Sequence, residues 1–549
     1  MYKSDFIKPL HVNLSLVVLA SGVRYTRVGV YFVTVFLEVL SGRSFFTIFQ
    51  SSDQEIIMSN VLYSFFSIQQ ILTKMSVVFI QPPKKEPKQE WIYRGEGNAN
   101  LVISLPDKRQ ILRIRKTDKP KTFFVWLFNW LSDFLYWDTK NELNVDNQDL
   151  KFYKQVMMPL LGQFVCEATP IFMSRKQTHD LNSAIAQCRP GFRKHKKLQF
   201  GRATFFTDFA FLPKNLDSFR LSGATYAIEI KPKQGWIPVL SRQTKCQFCQ
   251  NQYLKLQKGQ IKKISGYCPL DLFSGEKPRM IKAIKSLIYN PQNNFKIFRN
   301  GVFVYGEQAS IDVFYEVMRE MLYSDDKMST YSLLEEFCDI LYTTLIKQID
   351  KQYADHKCIE LYQTIEPSDK HSATTIAYDP ENLSCALPEG CILERILSIQ
   401  KFDQLGLDRY KELINSYYND VITEKNYVEK LLKEISVTKC PKCVIRKYIS
   451  GNLISDDRRK ICELDFAPYL VASIANDCSL MLTYRRCSSR DRLVSEEHFL
   501  ERPTESFVFN VGVFDLYPKP LSTIAKHVKR KLKIESLPFD NVPCNHRIL

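Results

Sequence analysis

No apolar run in this chain of 549 residues reaches the roughly 18 consecutive positions that a membrane-spanning helix needs. The nearest approach, Leu14 to Leu40, is broken by Arg24, Arg27 and Glu38, and Leu16-Val17-Val18-Leu19-Ala20-Ser21-Gly22 resembles an export signal only loosely. Cysteine is sparse as well. Fifteen in so long a chain do not make a disulfide scaffold, and settings such as Phe337-Cys338-Asp339 suit thiols in a reducing compartment, the nucleus or cytoplasm. No internal repeat is present at a period of about 20 to 50 residues. No RNA-binding fingerprint occurs, and no aromatic side chains interleave the basic residues in a stacking pattern, so an obligate nucleic-acid partner is not expected.

What is there is an ordinary globular composition, 45% apolar, 13% aromatic and 25% charged, which excludes a disordered or fibrous chain. Seventy-six basic against 59 acidic side chains leave a net charge of +17, enough to draw a polyanion. The sign alone does not choose among nucleic acid, anionic lipid and a phosphorylated small ligand.

Composition divides the chain. Residues 1–88 are an extension that closes on a charged, proline-rich linker, Gln81-Pro82-Pro83-Lys84-Lys85-Glu86-Pro87-Lys88. From Trp91 short β-rich runs take over. Leu101 to Leu105 and Ile111 to Arg115 predict two strands joined at Pro106-Asp107-Lys108, and Thr225 to Ile230 a third, stopped by Pro232. Ser332 and Glu335 form a capping-box pair ahead of Leu334, Phe337, Cys338, Leu341 and Leu345, which predicts an amphipathic helix to about residue 350. Asp355 to Ser372 has the polarity of a surface loop. Toward the C-terminus, apolar runs flank Asn476-Asp477-Cys478, and Phe507, Phe509, Val511 and Val513 alternate as in a strand that ends at Asp515.

Several of these segments carry groups suited to phosphate chemistry. Arg94-Gly95-Glu96-Gly97-Asn98-Ala99-Asn100 begins like a glycine loop that folds over phosphates, although Asn100 stands where a third glycine would be, and from the pattern alone a plain hairpin tip is the more ordinary explanation. Alternation puts Arg113 and Arg115 on one face of the next strand and Leu112 and Ile114 on the other. In Glu229-Ile230-Lys231-Pro232-Lys233 the same rule places Glu229 beside Lys231, either as a surface ion pair or as an acid that positions a phosphate-binding lysine. Asp477 between apolar runs and Asp515 at a strand end are carboxylates that need a cation or hydrogen bonds. Beyond Asp515, Lys519, Lys526, Lys529, Arg530, Lys531 and Lys533 form a dense basic tail. Cys246-Gln247-Phe248-Cys249 and Cys440-Pro441-Lys442-Cys443 both have the spacing of a zinc half-site, to which Cys268 or Cys462 could add ligands; buried thiols are the ordinary alternative.

Taken in order, these stretches resemble the inositol-pentakisphosphate 2-kinase family over roughly Trp91 to Arg530. The landmarks are Trp91 to Gly97, Glu229 to Gly235, Tyr267-Cys268-Pro269-Leu270-Asp271-Leu272-Phe273-Ser274-Gly275, Pro291-Gln292-Asn293-Asn294-Phe295, Asn476 to Ser479, and Asp515-Leu516-Tyr517-Pro518-Lys519-Pro520. The catalytic and metal triplets of protein kinases are missing, as is the P-x-x-x-D-x-K-x-G signature of the other large inositol phosphate kinase family. The resemblance implies a two-lobed α/β kinase, with a β-rich lobe over 89–214, a larger mixed lobe over 215–549 and ATP between them.

Its roles carry over where residues match. Gly95, Glu96, Gly97 and Asn98 would cover ATP and Arg113 would touch its phosphates. Asp477 would be the base for the 2-hydroxyl, Lys231 would bridge the transferring phosphate and the inositol, and Asp515 would hold magnesium. Arg193, Lys233, Lys255, Asn293 and Lys519 would grip the phosphates of inositol pentakisphosphate, which approaches ten negative charges at about −1.5 to −2 each. Zinc is implied near Cys440 and Cys443, where some relatives carry it. A monomer is expected.

The sequence also departs from its relatives. Gln247 stands in place of an arginine, whose contact could pass to Arg242 or Lys245; Lys296 stands where arginine can occur, and Thr523 and His527 where some relatives have arginine and tyrosine.

Overall fold

The computed structural model describes residues 16–22, 31–39, 42–50, 91–118, 148–217, 221–238, 246–322, 328–350, 387–418, 426–453, 461–487, 495–502 and 506–537. The linker at 81–88, the loop at 355–372, Arg242 and Lys245 lie outside them. Residues 1–87 and 88–549 form two compact units. In the first, β1 (Leu16–Gly22), β2 (Tyr31–Val39) and β3 (Gly42–Gln50) make an antiparallel three-stranded sheet.

The second unit has a mixed α/β fold with two antiparallel sheets. The five-stranded sheet runs in the order β4 (Ile92–Glu96), β5 (Asn100–Leu105), β6 (Gln110–Asp118), β8 (Lys196–Thr207), β7 (Thr169–Met173). Alternation governs it: Leu101, Ile103, Leu112 and Ile114 turn inward and pack with Met173, Ile185 and Leu198, while Arg113 and Arg115 turn the other way. The β5 to β6 turn falls at Pro106–Lys108, as the sequence predicts, with Arg109 in the left-handed region at φ 51° closing it.

The six-stranded sheet combines β9 (Leu221–Ile230), β10 (Phe295–Arg299), β11 (Val302–Tyr305), β12 (Ser479–Cys487), β13 (Phe499–Leu500) and β14 (Ser506–Phe514), in the order β11-β10-β9-β12-β14-β13. β9 and β12 at its centre are almost wholly apolar from Tyr226 to Ile230 and from Leu480 to Tyr484, because helices cover the sheet. The helices that matter for function are α1 (Gln247–Gln257), α2 (Pro269–Leu272), α3 (Lys277–Tyr289), α4 (Thr330–Leu345), α5 (Ile392–Gln400), α6 (Ala467–Ala475) and α7 (Ser522–Glu535). The expected boundary near 214 falls between β8 of one sheet and β9 of the other. Among the described residues no helix is long and apolar enough to cross a membrane.

One local expectation fails. The cap of α4 is Ser329, whose hydroxyl accepts from the Ser332 amide, and the helix stops at Leu345. Ser332 therefore lies inside the helix, and no capping box forms with Glu335, whose carboxylate pairs with Lys285 instead. Serine and glutamate recur at this spacing often enough that the pair alone does not fix a helix start.

Candidate active site

The β9 to β12 pairing is the mechanical basis of the site. Ile230 at the end of β9 lies opposite Leu480 near the start of β12, and Ser479 lies opposite Phe514 at the end of β14. The segments just beyond these ends, Lys231 to Gly235, Asn476 to Cys478 and Asp515 to Lys519, therefore emerge side by side although they lie far apart along the chain. Lys231 Nζ donates to Ser479 Oγ at 2.8 Å and stands 3.6 Å from Asp515 Oδ2. The other Asp515 oxygen accepts from Arg113 Nη1 at 3.2 Å, which brings the five-stranded sheet to the same carboxylate. Asp477 takes Lys233 Nζ at 3.0 Å on one oxygen and Lys519 Nζ at 3.3 Å on the other.

Backbone strain accompanies this gathering. Lys233 and Asp515 have φ of 61° and 68°, and Gln292, in the turn before β10, has 44°. Non-glycine residues in that region cost about 1 to 3 kcal/mol each and persist only where the surroundings hold them. At Asp515 the left-handed turn ends β14 and redirects the carboxylate toward Lys231 and Arg113. Pro518 and Pro520, without amide donors, prevent the strand from resuming. Gly235 is required by close approach, since a Cβ there would lie 2.1 Å from the Phe273 ring.

Charge follows from the geometry. Burial of Lys231 favours its neutral form, but Asp515, Glu229 and Asp477 outweigh that and raise its pKa, so it is an ammonium. Burial also works to raise Asp477, yet Lys233 and Lys519 hold it down at about 2. Beside Asp477 opens a cavity of about 630 Å³ lined by Lys233, Lys255, Lys258, Lys519, Lys526, Lys529, Arg530 and Lys533 against only two acids, Asp403 and Asp477. Burial, Lys233 and Arg530 together lower the pKa of Lys255. His527, also on the wall, is pushed down to about 4 by burial, Arg530 and Lys519. A wall with so many more cations than acids attracts an anion.

The structure thus gathers Asp477, Asp515, Lys231, Lys233, Lys519 and Arg113, and places Lys255 and Asn293 on the same cavity. Arg193 sits apart from that wall, on the loop side of the five-stranded sheet, where its guanidinium reaches Asn98 Oδ1. Gly97, Asn98 and Ala99 form the exposed turn between β4 and β5, and a Cβ at Gly95 or Gly97 would meet open space.

The structure also shows what surrounds four of the side chains singled out in the sequence. Glu229 pairs with Lys296 at 3.0 Å, its partner across the β9 to β10 register, and acts on Lys231 only through its field. Glu96 does not present a carboxylate to a nucleotide, because its side chain is fully buried between Arg189 and Lys116 and only its backbone is left for that purpose. Lys296, where arginine can occur, spends its charge on Glu229 and does not line the cavity. Cys440 immediately precedes the helix Pro441–Leu453 and Cys443 lies in its first turn, and Cys440 Sγ accepts from the Cys443 amide; among the described residues no third metal-ligating side chain joins them.

Three further residues were given no role from the sequence, although Ser479 and Tyr517 lie in its landmark stretches. Gln400, buried at the end of α5, donates to Lys233 O at 2.8 Å and Ala475 O at 3.2 Å and accepts from the Gly235 amide at 2.8 Å, so one side chain ties the lysine segment to the Asp477 turn. Tyr517 lays its ring 3.9 Å from the Arg113 guanidinium. Ser479 fixes the Lys231 ammonium. Gln400 lies in no landmark stretch, and its role and that of Ser479 appear only once β9, α5 and β12 are packed.

With this geometry in hand, a family model described as inositol-pentakisphosphate 2-kinase matches residues 93–533. The chain belongs to the inositol-pentakisphosphate 2-kinase family. It is 28% identical over 485 residues to the inositol-pentakisphosphate 2-kinase of Danio rerio, which covers 82% of this chain and 93% of that protein. It is 26% identical over 494 residues to the Arabidopsis thaliana protein of the same name, covering 82% and 94%. With the Drosophila melanogaster protein it shares 29% over 316 residues, 42% of this chain and 51% of the other. Every segment that builds the carboxylate and lysine cluster lies inside the matched region, whereas the three-stranded sheet of residues 1–87 lies before it.

Proposed function

We propose that the chain transfers the γ-phosphate of ATP to the 2-hydroxyl of inositol 1,3,4,5,6-pentakisphosphate and releases the hexakisphosphate. The observation that carries this reading is the cavity whose wall holds eight cationic side chains and which opens onto Asp477. A ligand with five phosphates is the kind of anion whose charge matches such a wall.

Lys233, Lys255, Asn293 and Lys519 bind ring phosphates, and Arg193 closes on the ligand from the loop side. In the free protein Asp477 is too acidic to be a useful base. Phosphates entering the cavity draw Lys233 and Lys519 away and add negative charge, and both effects raise the Asp477 pKa toward the range in which it accepts the 2-hydroxyl proton. Lys231, kept protonated by Asp515, lies where charge builds on the transferring phosphoryl group. Arg113, steadied by Tyr517, meets the phosphates of ATP, and the backbone of Gly95, Glu96, Gly97 and Asn98 covers them.

Asp515 fits a magnesium ligand: its side chain is 41% exposed, and in the free protein Arg113 and Lys231 supply the positive charge that a dication would bring. Magnesium, when bound, neutralises charge on the β- and γ-phosphates. The proposal extends to a monomer working in the nucleus and cytoplasm, the reducing compartments that its thiols suit.

The test is product analysis of the purified chain given magnesium-ATP and each of several inositol phosphates. Hexakisphosphate from the pentakisphosphate is expected. Turnover of other inositol phosphates alone would shift the assignment to a different inositol polyphosphate, with Gln247 on the cavity wall as the cause. RNA binding without turnover would make the chain a non-catalytic scaffold.

A further inference from the structure

Arg94 is the extra residue of a β-bulge. Tyr93 lies opposite Ile103 and Gly95 opposite Val102, so Arg94 has no place in the β4 to β5 ladder and its side chain is re-aimed out of it. The guanidinium lands on three separate elements. Nη2 donates to Ser104 Oγ of β5 at 3.0 Å and to Asp208 Oδ2, at the start of the linker from β8 to β9, at 2.5 Å. Nη1 donates to Gly301 O, in the hairpin between β10 and β11 of the six-stranded sheet. We propose that Arg94 is a positioning residue for the phosphoryl donor: it ties the glycine turn that follows it to the linker and to the second sheet, and so sets where the Gly95 to Asn98 backbone meets ATP. This role presupposes that ATP lies beneath that turn, as proposed above.

The surroundings are built for the contact. Asp208 is 3% exposed and Ser104 is wholly buried, and the Asp208 carboxylate also accepts from the Ser104 hydroxyl and, at 3.0 Å, from the Ala210 amide. A buried ion pair whose lone pairs are filled in this way holds one geometry. Gly301, at φ 77°, lets the hairpin come this close, since a Cβ there would lie 2.5 Å from the Phe211 ring and 3.3 Å from Arg94 Nη2. The guanidinium carbon also stands 5.2 Å from the centre of the Phe298 ring of β10.

β10 carries the tie toward the chemistry. It begins at Phe295, directly after Asn294, whose carbonyl accepts from the Lys231 amide at 2.9 Å. Glu96, two residues beyond Arg94, is held by Arg189 and Lys116 within residues 89–214, whereas Arg94 reaches across to Gly301. One guanidinium thereby connects the donor-covering turn to the strand behind Lys231.

The full chain is compared with Arg94→Lys, which keeps a cation for Asp208 but gives up the planar fork that reaches Ser104 and Gly301 together. Initial rates give kcat and KM for ATP. Calorimetry gives the affinities for inositol pentakisphosphate and for the magnesium complex of a non-hydrolysable ATP analogue, and urea unfolding gives stability. KM for ATP and the analogue Kd should rise about tenfold, with the pentakisphosphate Kd within about twofold of wild type and the urea midpoint hardly moved. Hydrogen exchange adds a readout that packing alone would not shift: the analogue should slow the amides of residues 95–100 in wild type and leave them fast in Arg94→Lys. Gly301→Ala, which pushes the hairpin away while Arg94 stays, should reproduce both effects. An unchanged KM for ATP in Arg94→Lys, or equal weakening of both ligands together with a lower urea midpoint, overturns the proposal. Wild type that binds no analogue overturns the donor reading and this role together, whereas analogue binding that Arg94→Lys leaves untouched overturns the role alone.

Discussion

Two clusters in residues 88–549 are made from the same groups, carboxylates with lysine and arginine, and they differ in how completely the charges are met. Glu96 receives Arg189 at 2.8 Å on each oxygen, Tyr93 at 3.2 Å and Lys116 besides, in a site where the Glu96 and Lys116 side chains are fully buried. Asp477 and Asp515 have side chains 57% and 41% exposed and share a neighbourhood with far more cations than they can neutralise. Saturated pairing is a structural device, and unsaturated pairing marks a place where a ligand supplies the missing charge.

The sharpest way to break this contrast is to remove one acid from each cluster. Glu96→Gln leaves Lys116 and Arg189 buried without a counter-charge and should cost about 3 to 5 kcal/mol in urea unfolding. The pH dependence has a definite sign. Glu96 is pushed upward by burial but held at about 2 by Arg189 and Lys116, below its ordinary 4.5, so its contribution is present above pH 4.5 and disappears as the pH falls toward 2. The gap in melting temperature between wild type and Glu96→Gln should therefore shrink over that interval.

At the open cluster the cost should fall on rate. Lys231→Ala is expected to lower kcat by about 10² to 10³-fold while the urea midpoint hardly moves. An equal loss of stability and rate would contradict the contrast, because Lys231 would then be a packing residue. Lys255→Ala removes one ring-phosphate contact and should raise KM for the inositol phosphate about tenfold with little change in kcat. Smallest of all, Gln247→Arg should tighten substrate binding by roughly threefold to tenfold by adding a guanidinium to the wall.

These differences also explain what could be read from the residues in order. The β5 to β6 hairpin was legible because its apolar residues alternate and its turn contains Pro106, and the fate of Asp515 was legible because a strand pattern runs straight into it. Asp477 announced itself as a carboxylate between two apolar runs. Partner choice was not legible: alternation puts Glu229 and Lys231 on one side, but the Glu229 carboxylate pairs at 3.0 Å with its cross-strand neighbour Lys296, and that register exists only in the assembled sheet. The role of Gln400 depends in the same way on packing between distant elements. The cavity wall lay between these extremes, since a basic tail was visible while the face that Lys526, Lys529, Arg530 and Lys533 present was set by α7.

The central claim is that Asp477 takes the proton while its surrounding lysines hold the substrate. Asp477→Asn, with binding followed by calorimetry and phosphoryl transfer by single-turnover product analysis on the same preparation, tests it most directly. The account predicts inositol pentakisphosphate affinity at least equal to wild type, since a competing negative charge is gone from Lys233 and Lys519, together with a transfer rate lower by about 10² to 10⁴-fold. Transfer at the wild-type rate would contradict it and move the base elsewhere.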